Sequence, residues 1–200
     1  KGQRLARADA PLGEHELAEE LVAFERELSI VAVRGRDGAT RFWPLAENEH
    51  RDGILRVTRA PAVGALAAEA EELATRLLDD LGYVGVIALE LFDVGGGLLA
   101  NEFAPRVHNT AHWTIDGAET GQFENHLRAI LGLPLGSTAA RAPSVMVNLV
   151  GGVPAVEVVA ERLFGTPIGA RPDGLGERLF DLGIACRHRT PPRRRRHPRG

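Results

Sequence analysis

Two glutamates flank a run of three glycines, at a spacing that could bring their carboxylates together. The apolar segments 84–92 and 98–103 predict two strands joined by a turn at the glycines. If the turn is centred on Gly96, Glu90 and Glu102 are directly opposed and point to the same face of the hairpin. Two carboxylates that close repel each other unless they share a proton or bind a cation, and such oxygen ligands suit Mg²⁺. The alternative is a register displaced by one residue, which leaves one glutamate at a solvated sheet surface.

The histidines indicate a metal site less clearly. His108 and His112 lie four residues apart, a helix-face spacing, but Pro105 before them and Trp113 after them favour a loop. No cysteine accompanies these two or His50, so polar loop histidines are favoured over zinc ligands. The sequence also lacks the G-x-x-x-x-G-K-S/T phosphate loop and the G-x-S-x-G nucleophile elbow, so neither of those sites is indicated.

The segments that must position these residues are strand pairs mixed with separate helices, which predicts an α+β fold. β-branched and aromatic residues predict the strands, and leucines and alanines at helical spacing predict the helices. The predicted strands cover 27–34, 41–43, 84–92, 98–103 and 144–150, the predicted helices cover 65–81 and 116–131, and polar loops are expected over 47–55 and 104–117. Gly82 and Gly132 are placed to end the two helices.

The composition argues against several classes of function. The last fourteen residues carry seven Arg and no acid, whereas the rest of the chain has 17 Lys and Arg against 27 Asp and Glu. Such an acidic body is not a general nucleic-acid surface. No apolar run approaches the roughly 20 residues of a membrane span, and the single cysteine, Cys186, fits a reducing cytosol. We therefore expect a cytoplasmic protein that binds neither nucleic acid nor membrane.

One long segment and several short ones carry a family resemblance. The run from Asn101 to Gly136 closely resembles the signature of the 5-(carboxyamino)imidazole ribonucleotide synthases, which are ATP-grasp enzymes of purine biosynthesis. Ala104 agrees with this family, whereas related ATP-grasp enzymes usually have Asn at that position. Shorter matches occur at 19–22, 24–29, 50–56 and 82–86, and Lys1 to Gln3 resemble the end of a glycine-rich loop. The resemblance covers residues 1 to about 151 and implies the C-terminal part of the ATP-grasp fold, with an incomplete N-terminal lobe.

The resemblance implies a nucleotide site and a metal site. The segment that resembles the adenine-binding hinge strand consists of Glu19, Glu20, Leu21 and Val22. Glu27 resembles the acceptor for the ribose hydroxyls, and His50 resembles a nucleotide contact from a mobile loop. Glu90 and Glu102 resemble the Mg²⁺ ligands, with Asn101 and Glu102 beside the nucleotide.

The resemblance also implies a group of catalytic residues. Arg106, His108 and Asn109 resemble the segment that faces bicarbonate, the transferring phosphate and the ribonucleotide. Lys1 matches a catalytic-loop cation, and Gln3 resembles a group that positions substrate.

The implied activity is an ATP-dependent carboxylation that needs ATP and Mg²⁺. Bicarbonate attacks the γ-phosphate of ATP to form carboxyphosphate, and the exocyclic amine of 5-aminoimidazole ribonucleotide captures the carboxyl group or the CO₂ released from it. Mg²⁺ and Arg106 would offset the repulsion between the anions. The full-length enzyme is expected to be a homodimer. The alternatives are another ATP-grasp carboxylase or ligase, such as a formate-dependent purine transformylase, and a catalytically inactive remnant.

Three regions are expected along the chain. Residues 1–25 would be a remnant of the small ATP-grasp lobe with its hinge, and residues 26–151 would form the large lobe. Residues 152–200 diverge from the family and are expected to be disordered from about residue 187. Because the family's substrate-binding domain and most of its small lobe are not expected here, we predict that the 200 residues alone are inactive.

Overall fold

The computed structural model describes residues 11, 13–16 and 18–150 of the 200-residue chain. The predictions for Lys1, Gln3, the disordered end and residues 152–200 lie outside the described residues. In chain order the elements are β1 Arg26–Arg34, β2 Thr40–Phe42, β3 Ala46–Arg51, β4 Ile54–Ala60, α1 Ala67–Leu81, β5 Gly85–Asp93, β6 Leu98–Ala104, a 3₁₀ turn Asn109–Ala111, α2 Thr114–Gly117, α3 Gln122–Leu131 and β7 Ser144–Val147.

These strands form one antiparallel sheet of seven strands within the described residues. The order across the sheet is β6-β5-β1-β3-β4-β7, and the short strand β2 pairs with one end of β1. The central pair is long, because β1 and β5 stay in register from Arg26 opposite Asp93 to Arg34 opposite Gly85. Strands with separate helices confirm the α+β prediction.

Apolar residues of β1 alternate between two cores because successive side chains point to opposite faces of the sheet. On one face α1 closes a core that includes Leu28, Ile30, Ala32, Ala70, Ala74 and Leu78. On the other face α3 and the loops around it close a core that includes Val31, Val33, Trp43, Ala88, Trp113 and Ala129. Burial on both faces explains why residues 28–33 are apolar except for Ser29.

The helix ends agree closely with the sequence predictions, whereas one helix start does not. Gly82 and Gly132 adopt left-handed backbone at φ 55° and 71°, and their N–H groups cap α1 and α3. The predicted start of the second helix near residue 116 is wrong. Residues 114–117 form the separate turn α2, and α3 begins at Gln122 because Gly121 is extended.

The predicted polar loop over 47–55 is also wrong, because those residues form most of the β3–β4 hairpin. Asp52 and Gly53 make its turn with φ of 54° and 65°. Polar side chains occupy β3 because they find hydrogen-bond partners on β1 and β4, which a local pattern cannot reveal. The polar loop predicted over 104–117 contains a 3₁₀ turn and α2, and it is partly buried, at Thr110, Ala111, Trp113 and Thr114. Among the helices of the described ranges, none has the length and apolarity to cross a membrane.

Candidate active site

The β5–β6 hairpin opposes Glu90 and Glu102, as the sequence predicted. The register nearer the turn differs from the predicted one, since Leu91 pairs with Ala100 and Asp93 with Leu98. A β-bulge takes up the difference and leaves Asn101 as the extra residue of β6. Glu90 is only 9% exposed, whereas Glu102 lies at the surface. The hairpin therefore presents one buried and one exposed carboxylate side by side.

His108 lies beside the buried carboxylate. Its Nδ1 is 3.6 Å from Glu90 Oε1 and 3.1 Å from Thr110 Oγ1. The backbone of His108 is held by the side chain of Gln122, which accepts from the His108 N–H at 2.8 Å and donates to its carbonyl at 2.7 Å. The backbone that carries the imidazole is therefore held by a residue of α3, and the ring lies beside Glu90.

A second acid–imidazole pair lies on the neighbouring strands. His50 Nδ1 is 2.6 Å from Glu27 Oε2, and both side chains are largely buried. A register shift between Glu49 and His50 leaves Arg56 as an extra residue on β4. This is the second bulge of the sheet, and bulges of this kind commonly redirect side chains next to active sites.

Buried side-chain hydrogen bonds connect β4, β3 and β1. Thr58 Oγ1 donates to Asn48 Oδ1 at 2.9 Å, and Asn48 Nδ2 donates to Ser29 Oγ at 2.9 Å. All three side chains are at most 6% exposed. Ser29 lies directly across from Glu90 in the β1–β5 ladder, so the chain of hydrogen bonds ends next to the candidate metal ligand.

The donors present fit a hard cation together with phosphate. The opposed carboxylates supply only oxygen, which Mg²⁺ prefers, and this ion usually takes one or two protein carboxylates plus substrate phosphates. Within the described ranges, no three His, Cys, Asp or Glu side chains form a group that could hold a metal ion. In addition, Asn109 Oδ1 is buried without a hydrogen-bond partner among the described residues, so it can accept from a bound molecule.

The other predicted site residues are spread along the edges of this surface. Glu19–Val22 are predicted as a hinge strand, but within the described ranges they pair with no strand, and Leu21 is 80% exposed. The first backbone bond that joins this segment to the sheet is Glu25 N–H to the Asp93 carbonyl at 2.8 Å. Asn101 and Arg106 are exposed, and Arg106 donates only to the Val107 carbonyl among the side-chain hydrogen bonds described.

His112 is buried against α3. It is 6% exposed and stacks on Phe123 with ring centroids 5.8 Å apart. The sequence favoured a loop over a shared helix face here, and only a 3₁₀ turn separates the two histidines.

Comparison with known proteins decides the family. The sequence profile of the ATP-grasp domain matches residues 3–123. The chain belongs to the ATP-grasp family. Among curated proteins, this ATP-grasp chain is 57% identical over 145 residues to the N5-carboxyaminoimidazole ribonucleotide synthase of Pseudomonas aeruginosa, a match that covers 72% of this chain and 40% of the relative. It is 51% identical over 137 residues to the Escherichia coli protein of the same name, covering 68% of this chain and 39% of that one.

Solved structures of the same kind resemble the fold. The N5-carboxyaminoimidazole ribonucleotide synthetase of Thermus thermophilus matches with a TM-score of 0.67 and 61% identity over 70% of this chain and 40% of that one. The enzyme of Aspergillus clavatus in complex with ADP and 5-aminoimidazole ribonucleotide matches with a TM-score of 0.63 and 34% identity over 67% and 37%. The resemblance inferred from the sequence is thereby confirmed. The chain spans about two fifths of the length of the curated relatives it matches.

The sequence did not predict the buried polar residues that make hydrogen bonds behind the candidate site. Gln122 lies within the long matching run but has no predicted role, and neither do Ser29, Asn48 and Thr58. Asn48 gave no local signal, because its buried partners Ser29 and Thr58 come from β1 and β4. No local signal could reveal Gln122, because its partner lies fourteen residues earlier in the chain.

Proposed function

We propose that this chain carries the large ATP-grasp lobe of an N5-carboxyaminoimidazole ribonucleotide synthase. Such an enzyme uses ATP to join bicarbonate to 5-aminoimidazole ribonucleotide in purine biosynthesis. The observation that carries the proposal is the opposition of Glu90 and Glu102 with His108 beside them, within a segment that matches this enzyme class. The Aspergillus clavatus neighbour, whose structure contains ADP and the ribonucleotide, supports the same substrates.

Glu90 and Glu102 would hold Mg²⁺ together with phosphate oxygens of ATP. When bound, the ion would neutralise charge on the transferring phosphoryl group. Glu27 would accept hydrogen bonds from the ribose hydroxyls, and its contact with His50 at 2.6 Å keeps the carboxylate in one position before the nucleotide arrives. The exposed segment Glu19–Val22 would lie against adenine, and Asn101 would lie beside the nucleotide.

Arg106 and His108 would act on the reacting groups. In the first step a bicarbonate oxygen attacks the γ-phosphorus of ATP, the bond to the ADP oxygen breaks, and ADP leaves. In the second step the amine nitrogen attacks the carboxyl carbon, phosphate leaves with the bonding electrons, and the nitrogen loses a proton. Cationic and N–H groups next to the phosphates reduce the repulsion between two anions, which is the main task of the protein in such transfers.

The remaining parts of the proposal concern the chain as a whole. Residues 26–151 would be the large lobe and residues 1–25 would belong to the small lobe and hinge, with Lys1 and Gln3 on its catalytic loop. We also propose a homodimer and a cytosolic location for the full-length enzyme. The small-molecule partners are ATP, bicarbonate and the ribonucleotide.

A chimaera tests the activity. In the Pseudomonas aeruginosa relative, the segment that matches this chain is replaced by the matching residues of this chain. ADP release is then measured with and without each substrate. We expect ADP release that requires both bicarbonate and 5-aminoimidazole ribonucleotide. The Glu90→Gln and Glu102→Gln changes should each lower turnover by about 100-fold or more, because a metal ion supplies several kcal/mol of charge stabilisation.

The matched control for these changes is Glu72→Gln, which alters an exposed carboxylate on α1. It should leave turnover unchanged. ADP release that needs formate in place of bicarbonate would indicate a different ATP-grasp ligase, and full activity in either metal-site variant would remove that residue from the site.

A further inference from the structure

Gln122 stands out because its amide is fully buried and makes both of its contacts to one distant backbone unit. Its side chain is 0% exposed, and it accepts from the His108 N–H at 2.8 Å and donates to the His108 carbonyl at 2.7 Å. This is the pattern by which two strands pair, but here a side chain supplies one half. It is the described partner of the His108 N–H, and it shares the His108 carbonyl with the Ala111 N–H, which donates at 3.2 Å.

The segment held in this way has little other regular support. After β6 ends at Ala104, the chain turns through Arg106, whose N–H bonds back to the Ala104 carbonyl at 2.8 Å. His108 is extended, with φ −132° and ψ 155°, and precedes a 3₁₀ turn. Gln122 fixes the backbone from which the side chain projects, and the ring, with Nδ1 3.1 Å from Thr110 Oγ1, comes within 3.6 Å of Glu90 Oε1.

Gln122 is itself anchored. Its N–H donates to Thr114 Oγ1 at 3.0 Å, and the Thr114 hydroxyl donates to the Ala111 carbonyl at 2.6 Å. The first residue of α3 is therefore tied to the turn that follows His108 as well as to His108. Gln122 is therefore bonded both at its main-chain N–H and at its side-chain amide, and it links the start of α3 to the backbone of His108.

We propose that Gln122 is a positioning residue that acts through His108 on the Glu90 end of the active site. The inference rests on the proposed function, because it requires the His108 imidazole to lie beside the bound metal–nucleotide complex. Some residues do not touch a metal ion but orient the groups around it. Replacing such a residue typically lowers metal affinity or activity by about 10–100-fold.

The chain provides a matched control on the same helix. Asn125 is also 0% exposed and makes the same two-bond contact, accepting from the Gly136 N–H at 2.8 Å and donating to its carbonyl at 3.1 Å. Its partner lies in the segment after α3 rather than in the candidate site. Asn125→Leu therefore removes an equivalent pair of buried hydrogen bonds without touching His108.

The test uses the full 200-residue chain, with Mn²⁺ and ATP as the probe. Three quantities are measured in wild type, Gln122→Met, Asn125→Leu and Glu90→Gln: the urea midpoint, the affinity for Mn²⁺ in the presence of ATP, and the Mn²⁺-induced broadening of the His108 ring resonances. Gln122→Glu serves as a second variant, since it keeps the acceptor for the His108 N–H.

We expect Gln122→Met and Asn125→Leu to lower the urea midpoint alike. Only Gln122→Met should weaken Mn²⁺ binding by about 10–100-fold and reduce the broadening of His108. Gln122→Glu should change the Mn²⁺ affinity and the broadening of His108 in the same direction as Gln122→Met does. If the Gln122 and Asn125 variants affect metal binding and broadening equally, Gln122 is merely structural and the inference is overturned. If wild type shows no broadening, or Glu90→Gln binds Mn²⁺ as wild type does, the proposed metal site itself fails.

Discussion

Glu102→Gln should stabilise the metal-free chain and destabilise it relative to wild type when metal and nucleotide are present. Glu102 is exposed and directly opposes Glu90, which is 9% exposed. Within the described residues Glu102 forms no ion pair that would offset this repulsion. At a separation of about 5 Å, two unit charges repel by about 0.8 kcal/mol in water and by about 3 kcal/mol at an effective dielectric constant near 20.

Because Glu102 is exposed to water, its repulsion with Glu90 should lie near the lower of the two energies. In EDTA the variant should therefore have a free energy of unfolding about 1 kcal/mol higher than wild type. A ligand at 100 times its dissociation constant adds about 2.7 kcal/mol to the stability of the state that binds it. Wild type should gain that increment from Mg²⁺ with ADP, whereas the variant should lose most of it, so the order of stability reverses.

Urea unfolding followed by tryptophan fluorescence measures both quantities. Trp43 and Trp113 are each 1% exposed and lie in the core on one face of the sheet, so their emission reports the loss of the fold. Glu72→Gln is the control for a change of net charge and should show neither effect. A Glu102→Gln chain that is less stable than wild type in EDTA, or that gains as much from Mg²⁺ and ADP, would refute the reasoning.

Three further predictions concern the sheet beneath the site and the nucleotide. Asn48→Leu should lower the free energy of unfolding by about 2–6 kcal/mol, because two buried hydroxyls each lose a partner at about 1–3 kcal/mol, and urea unfolding checks this. Hydrogen bonds from the Arg26 side chain and then from a backbone N–H lower the pKa of Asp93 from its ordinary value of 3.8. That stabilisation is present above pH 3.8 and is lost as the pH falls through the lowered pKa, so the urea midpoint should fall with acid in wild type and less so in Arg26→Met. In the chimaera, Glu27→Ala should weaken ATP by about 1.5–3 kcal/mol and spare the ribonucleotide, and equal weakening of both ligands in a binding titration would contradict a ribose contact.

The β5–β6 hairpin is a feature that local sequence patterns predict well. Alternation of side chains and a glycine turn were enough to predict that Glu90 faces Glu102. The predicted turn centre was displaced by half a residue, and the bulge at Asn101 restores the predicted pairing at the point where the carboxylates lie. A bulge depends on the competition between two hydrogen-bond registers. No residue type in this segment indicates where the bulge lies, so it could not be predicted from the sequence.

The β3–β4 hairpin shows where such reasoning stops. Glu47, Asn48 and Glu49 look like loop residues, since strand interiors seldom contain three polar residues in succession. Asn48 is nevertheless 6% exposed, because Ser29 and Thr58 satisfy its amide from the two flanking strands. Burial of a polar side chain is decided by partners that come from distant parts of the chain, so it cannot be derived from a window of the sequence.

The arrangement of carboxylates also bears on how the metal and the nucleotide would bind. Two protein carboxylates leave most of the coordination shell of Mg²⁺ to water and phosphate. Since the described residues contain no group of three or more His, Cys, Asp or Glu that could hold a metal ion, the affinity for the ion alone should be low. Phosphate oxygens would complete the shell, and the ion would in turn neutralise the phosphates, so each ligand must raise the affinity for the other by the same factor. The buried Glu90, held between Ser29 on one side and Glu102 on the other, is where that coupling would be concentrated.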